Sequence, residues 1–208
     1  MKRTTAAAVA VACAWSAVAS AAYIEFTPAT TEVFAGDAFG VGITIGGLTE
    51  SEIVSGFDLT ALYDPAILGA TGFVFSDLLG GPGDTPFRNF APGAGSANVF
   101  NLSFLPDDAL FALQGSSVLL GTLQFTALAA GTAILSFAPL LAGDVSGAGC
   151  LASIDCALGI ERLSTASVLV RERVVDVPEP GALGLLLVGL LALWALRPRR
   201  PPPPQAGI

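Results

Sequence analysis

An all-β sandwich is the fold class this sequence predicts, and three observations carry it. Apolar residues alternate with others in Val41, Ile43 and Ile45, and again in Phe57, Leu59, Ala61 and Tyr63. A period of two lays one face of a strand on a core. Short apolar runs are separated by turn formers: Ala35-Gly36-Asp37, Gly46-Gly47, Gly80-Gly81-Pro82-Gly83-Asp84, Ala91-Pro92-Gly93 and Ala130-Gly131. Between Tyr23 and Val177 no convincing amphipathic helix of about ten residues or more occurs. Many short strands between such turns make a sandwich or jelly roll, here of about nine strands.

The elements follow in chain order. Met1-Lys2-Arg3 is a positive n-region, Ala6 to Val18 an apolar h-region, and Ala19-Ser20-Ala21 supplies small residues for cleavage. Residues 1–21 therefore read as a secretory signal peptide, with Ser20-Ala21-Ala22 as an equally permissible site. Ala10-Val11-Ala12-Cys13 offers a lipidated cysteine as the weaker reading. Strands are expected at Tyr23–Phe26, Val41–Ile45, Phe57–Tyr63, Gly72–Phe75, Asn98–Phe104, Val118–Thr126, Thr132–Phe137 and Ser167–Arg171. Asp64-Pro65 ends one of them, because proline lacks an N–H and aspartate caps a turn; Ile67 and Leu68 then tuck back under the sheet. Residues 174–180 form a linker, and Gly181 to Leu196 is an uncharged run of 16 residues. That is just below the length of about 17–25 for a spanning helix, and it reads as a single transmembrane segment. Arg197, Arg199 and Arg200 place residues 197–208, a basic and proline-rich tail, on the cytoplasmic side.

Two resemblances sharpen this outline. The order Pro178-Glu179-Pro180, apolar run, then Arg197-Pro198-Arg199-Arg200 resembles the PEP-CTERM sorting signal of bacterial surface proteins. It departs from that pattern in continuing through four prolines to Ile208. The resemblance implies processing by exosortase, a membrane protease, in an exopolysaccharide-producing bacterium, with delivery to the cell surface or extracellular matrix. The stretch Ser55 to Leu68, with Tyr63-Asp64-Pro65 after an alternating strand, resembles the opening half of a cohesin domain. Leu119 to Phe125, Ala130-Gly131-Thr132 and Thr165 to Val170 extend the likeness over residues 23–173. It implies a cohesin-like jelly roll.

Charge and missing residue types exclude much. Between Tyr23 and Val177 lie four arginines against 16 acidic residues, a formal charge of −12. Nucleic acid is a poor partner for such a surface. Histidine is absent from the chain, which removes the commonest general base and metal ligand. No nucleophile elbow or phosphate-cradling loop occurs. The expected protein is therefore non-enzymatic, binding a protein or exopolysaccharide. A carbohydrate-active hydrolase and a plain membrane-tethered structural protein are the alternatives.

Two local features complete the reading. Cys150 and Cys156 remain after signal removal, and an exported pair so close is expected to form a disulfide closing a loop. No cofactor is expected. Asp144 and Asp155 stand at positions 1 and 12 of a stretch with calcium-loop spacing, with Gly149 at position 6. Ser146, Ala148 and Ala152 at positions 3, 5 and 9 supply too few oxygens, so an ordinary acidic loop is the stronger reading and calcium the weaker.

Overall fold

Alternation sorts the chain into two facing sheets. The computed structural model describes residues 21–81, 83–149, 156–173 and 182–195. The signal peptide, Asp155, Cys150, the Pro178-Glu179-Pro180 motif and Arg197 to Arg200 lie outside the described residues. Two compact units divide at Glu172/Arg173.

The first unit is the sandwich. Its five-stranded sheet runs in the order β11 (Arg162–Leu163), β1 (Tyr23–Thr27), β3 (Ala38–Gly46), β8 (Ser117–Ala127), β5 (Leu68–Phe75). The facing sheet runs β2 (Thr30–Phe34), β12 (Ala166–Arg171), β9 (Gly131–Phe137), β4 (Gly56–Leu62), β7 (Ser96–Leu102), β6 (Phe87–Gly93). A short β10 (Val145–Ser146) pairs with β4 off that path. The first and last segments lie side by side: β1 pairs in parallel with β11, and β2 in parallel with β12.

Every apolar position read from alternation faces the core. Val41, Ile43, Ile45, Phe57, Leu59 and Ala61 are at most 2% exposed, and Tyr63 is buried. Burial of this kind contributes about 1.5–3 kcal/mol per large aliphatic or aromatic side chain. Two aromatic contacts tie the sheets together: Phe26 stacks on Phe137 at 4.2 Å, and Tyr63 meets Phe125 edge-on at 5.4 Å. The Asp64-Pro65 stop behaves as the residues dictate. The Asp64 carboxylate accepts from the Ala66 N–H at 2.9 Å, and its carbonyl accepts from Ile67 and Leu68. Leu68 is fully buried. The Tyr63 hydroxyl donates to the Gly93 carbonyl at 2.7 Å, fastening the β6–β7 hairpin to β4.

The structure corrects several expectations. Phe87–Gly93, within what reads as a long Gly/Pro loop, is a strand, so Ala91-Pro92-Gly93 is not a turn. The turn of that hairpin falls instead at Ala94-Gly95, where Gly95 has φ +81. Proline is tolerated because β6 is an edge strand, where an N–H is dispensable. Strands β2, β10 and β11 are additional, giving 12 among the described residues. A seven-residue helix α1 (Asp107–Leu113), too short for a periodicity search, buries Leu110.

The second unit contains helix α2 (Ala182–Ala195), 14 residues long. Its described side chains are exposed on every side, Leu185 at 75% and Trp194 at 71%. Of the expected transmembrane segment Gly181 to Leu196 the described helix covers 14 residues, and no described helix is long and apolar enough to cross a membrane.

Candidate functional site

The outer face of the β9-β4-β7-β6 sheet is where the sandwich offers both apolar and polar contacts. Register fixes who shares it. Asp58 stands opposite Phe100, Thr60 opposite Asn98, Asn89 opposite Phe100, and Leu62 opposite Ser136. Ile134 on β9 and Phe87 on β6 stand out at 54% and 60% exposed. The Phe87 ring meets Phe100 edge-on at 5.6 Å. Large apolar side chains left in water at the two flanks, with polar groups between, make a surface suited to a partner.

The polar centre is ordered by cross-strand bonds. Asn98 donates through Nδ2 to Asp58 Oδ1 at 2.6 Å and to Thr60 Oγ1 at 3.2 Å. One carboxylate oxygen of Asp58 is thereby fixed by a charge-assisted bond. A cavity of about 240 Å³ opens beside this cluster, lined by Asp58, Thr60, Asn98, Leu140, Leu141 and Asp144. Leu141, at 76% exposed, forms an apolar rim. Asp144 is held by its turn, accepting from the Leu141 N–H, while its carbonyl accepts from the Asp58 N–H at 2.7 Å.

Beneath this face lie two polar residues aimed inward. Arg88 donates to the carbonyls of Ser76 at 3.0 Å and Gly80 at 2.6 Å. Its guanidinium also lies 5.4 Å from the Phe75 ring and 3.7 Å from the Asp77 carboxylate. It staples the 3-10 turn at Asp77–Leu79 to the edge of the sheet. Asn101, directly opposite Arg88 in the register, is fully buried, and neither of its amide atoms has a partner.

The opposite face of the sandwich is flat at its centre, with exposed apolar side chains at Val74 (61%) and Leu119 (42%). Gly40, Gly42 and Gly46 occupy outward positions of β3. The Tyr23 ring lies over Gly46, Thr122 and Gln124 lean over Gly40, and Leu119 approaches Gly42. The Arg162 guanidinium stacks on Tyr23 at 4.6 Å.

Of the residues singled out from sequence, Asp144 joins the rim of the cavity. Its companion Asp155 lies outside the described residues, and no group of three or more potential metal ligands occurs among the described ones. Cys156 is half-buried at the end of a loop whose other cysteine, Cys150, is not described. Asp58, Asn98, Ile134 and Phe87 escaped the sequence reading. Asp58 and Asn98 occupy outward positions of alternating strands, which marks them as exposed but not as neighbours.

Residues 176–200 match the PEP-CTERM protein-sorting motif. The comparison with curated proteins finds no match. Among solved structures, the sandwich is similar to a cohesin of the OlpA protein in complex with a dockerin from Clostridium thermocellum. That likeness has a TM-score of 0.56 at 13% identity, covering 73% of this chain and 99% of that one. A cohesin module of a glycoside hydrolase from Clostridium perfringens gives 0.55 at 14% identity, covering 74% and 99%. A type I cohesin of the ScaB protein from Pseudobacteroides cellulosolvens gives 0.53 at 15%, covering 74% and 94%. The chain thus combines a PEP-CTERM sorting motif with a sandwich of the cohesin fold.

Proposed function

We propose that the chain is an exported, non-enzymatic binding protein, sorted through its C-terminal signal. Residues 1–21 direct export, and residues 23–173 form the binding domain. The run Gly181 to Leu196 anchors the chain at the inner membrane, with Arg197, Arg199 and Arg200 on the cytoplasmic side. An exosortase-type membrane protease then cuts near Pro178-Glu179-Pro180 and passes the domain to the cell surface or matrix. The observation that carries this reading is the sorting motif matched at residues 176–200. A helix apolar on every side supports the anchor, because such a surface is buried in lipid or protein.

The partner is a protein that docks on the outer β9-β4-β7-β6 face. Similar folds in the solved structures include cohesins in complex with dockerins, and this face pairs apolar flanks with an ordered polar centre. A protein is favoured over exopolysaccharide because both tryptophans, Trp15 and Trp194, fall in the terminal segments. The domain then lacks the broadest ring for stacking on a sugar.

Fractionation of cells carrying Glu179→Ala, or a deletion of Arg197 to Arg200, tests the sorting step. The expected outcome is uncleaved protein retained in the inner membrane; normal surface release of both variants would refute the assignment.

We also propose that Cys150 and Cys156 form a disulfide. Support comes from the ladder around them: Ser146 bridges to Ala157, and the Gly147 N–H donates to the Cys156 carbonyl at 2.6 Å. The Gly149 N–H is held by the Asp107 carboxylate at 2.7 Å, next to Cys150 in sequence. Intact mass should rise by about 2 Da on reduction. Alkylation of both thiols without prior reduction would rule the bridge out.

A further inference from the structure

The described helix α2 is apolar on every side, and the uncharged run that contains it, Gly181 to Leu196, is 16 residues long. At about 1.5 Å per residue the whole run would rise about 24 Å as a helix, against a bilayer hydrocarbon core of about 30 Å. The flanking sequence cannot make up the difference. Glu179 stands ahead of the helix and Arg197 follows it, so the uncharged stretch is bounded at both ends, and Pro180 and Pro198 discourage helical extension. Every described residue from Gly184 to Trp194 is exposed within its own unit, as a surface destined for lipid requires.

A short apolar helix meets a full-thickness bilayer at a cost that thinning, or association with another protein, relieves. We infer that the shortness of this apolar run is itself a recognition element. Its mismatch drives the anchor out of bulk bilayer and into a thinned zone, of the kind that surrounds a large polytopic membrane protein. The inference rests on the proposed sorting reading, which gives the anchor its membrane and its processing partner. It adds that the helix is selected by thickness as well as by the Pro178-Glu179-Pro180 motif. Gly184 and Gly189 leave the helix slim, and Trp194, one turn or less from the end of α2, is placed to sit at a lipid–water boundary.

Two arms test it. The processed chain from residue 22, delivered from detergent, is offered vesicles of phosphatidylcholine with short (myristoleoyl) or long (erucoyl) acyl chains. Insertion is read by resistance to alkaline extraction and by the fluorescence of Trp194. At least about tenfold more insertion is expected in the thin vesicles. A variant with four leucines between Leu187 and Val188, longer by about 6 Å, should lose that preference. Equal insertion of the native chain in both vesicles would overturn the inference.

In cells, the lengthened variant should accumulate uncleaved. A variant that shuffles Leu185 to Leu193 at constant length should be processed normally. Normal processing of the lengthened anchor would also overturn the inference. Normal processing of Glu179→Ala would instead remove the sorting reading, leaving the vesicle result to judge thickness by itself.

Discussion

The two outer faces of the sandwich are made by the same alternation, yet they present opposite surfaces. On the five-stranded sheet, outward glycines on the central β3 let neighbouring side chains lie flat, so that Tyr23 covers Gly46 and Thr122 and Gln124 cover Gly40. The centre of that face spends its side chains on itself, while Val74 on the edge strand β5 and Leu119 on β8 stay exposed. On the other sheet, the outward positions of β4 and β7 carry Asp58, Thr60 and Asn98, flanked by Phe87 and Ile134 in water. Side chains that cannot fold down onto a glycine stay available for contact. What differs is the residue at the centre of each sheet, and the proposed docking surface is the one with the ordered polar centre.

The largest effect that would break this contrast is expected at Ile134. A glutamate there puts a charge into the apolar flank of the binding face. Binding of the mature domain to cells of a strain lacking its own copy should fall by about 100-fold, or about 2.7 kcal/mol. The same change at Leu119 on the opposite face should leave binding within about twofold. Both proteins should melt cooperatively, since both sites are exposed. Equal losses at both positions would erase the distinction between the faces.

A smaller effect sharpens it from the other side. In Gly46→Ala the new Cβ would lie 2.5 Å from Tyr23 Cζ and 2.6 Å from its hydroxyl. The ring must lift, at a cost of about 1–2 kcal/mol in unfolding free energy. Denaturant titration should show this, while cell binding stays unchanged. The smallest effect is expected under the binding face. Asn101→Leu removes two buried amide atoms that bond to nothing. Stability should hold or rise by about 1 kcal/mol. A loss above about 2 kcal/mol would mean that the amide is satisfied in solution.

Much of the sandwich is legible from the chain because its signals are local. Phe57, Leu59, Ala61 and Tyr63 occupy alternate positions, with Asp58, Thr60 and Leu62 between them, and all face the core. Asp64-Pro65 stops the strand through bonds within four residues. Strand β6 was hidden because Asn89, Pro92 and Gly93 are poor strand formers, and they are admitted only by an edge position that the chain does not announce. The polar centre was hidden for a different reason. Asp58 and Asn98 are 40 residues apart and meet only through the β4–β7 register, which no local pattern encodes. At the C-terminus the order of motif, apolar run and arginines is legible without any tertiary contact.

The last described strand of the sandwich, β12, has a mechanical consequence. β12 lies between β2 and β9, paired with each over five residues: Ser167–Arg171 with the first and Ala166–Val170 with the second. A pull on the chain beyond Arg171 loads both ladders along their length, so their bonds share the force instead of opening one after another. A domain held by that end in flowing liquid would be loaded in shear along β12, and the outer sheet face would keep its shape under drag.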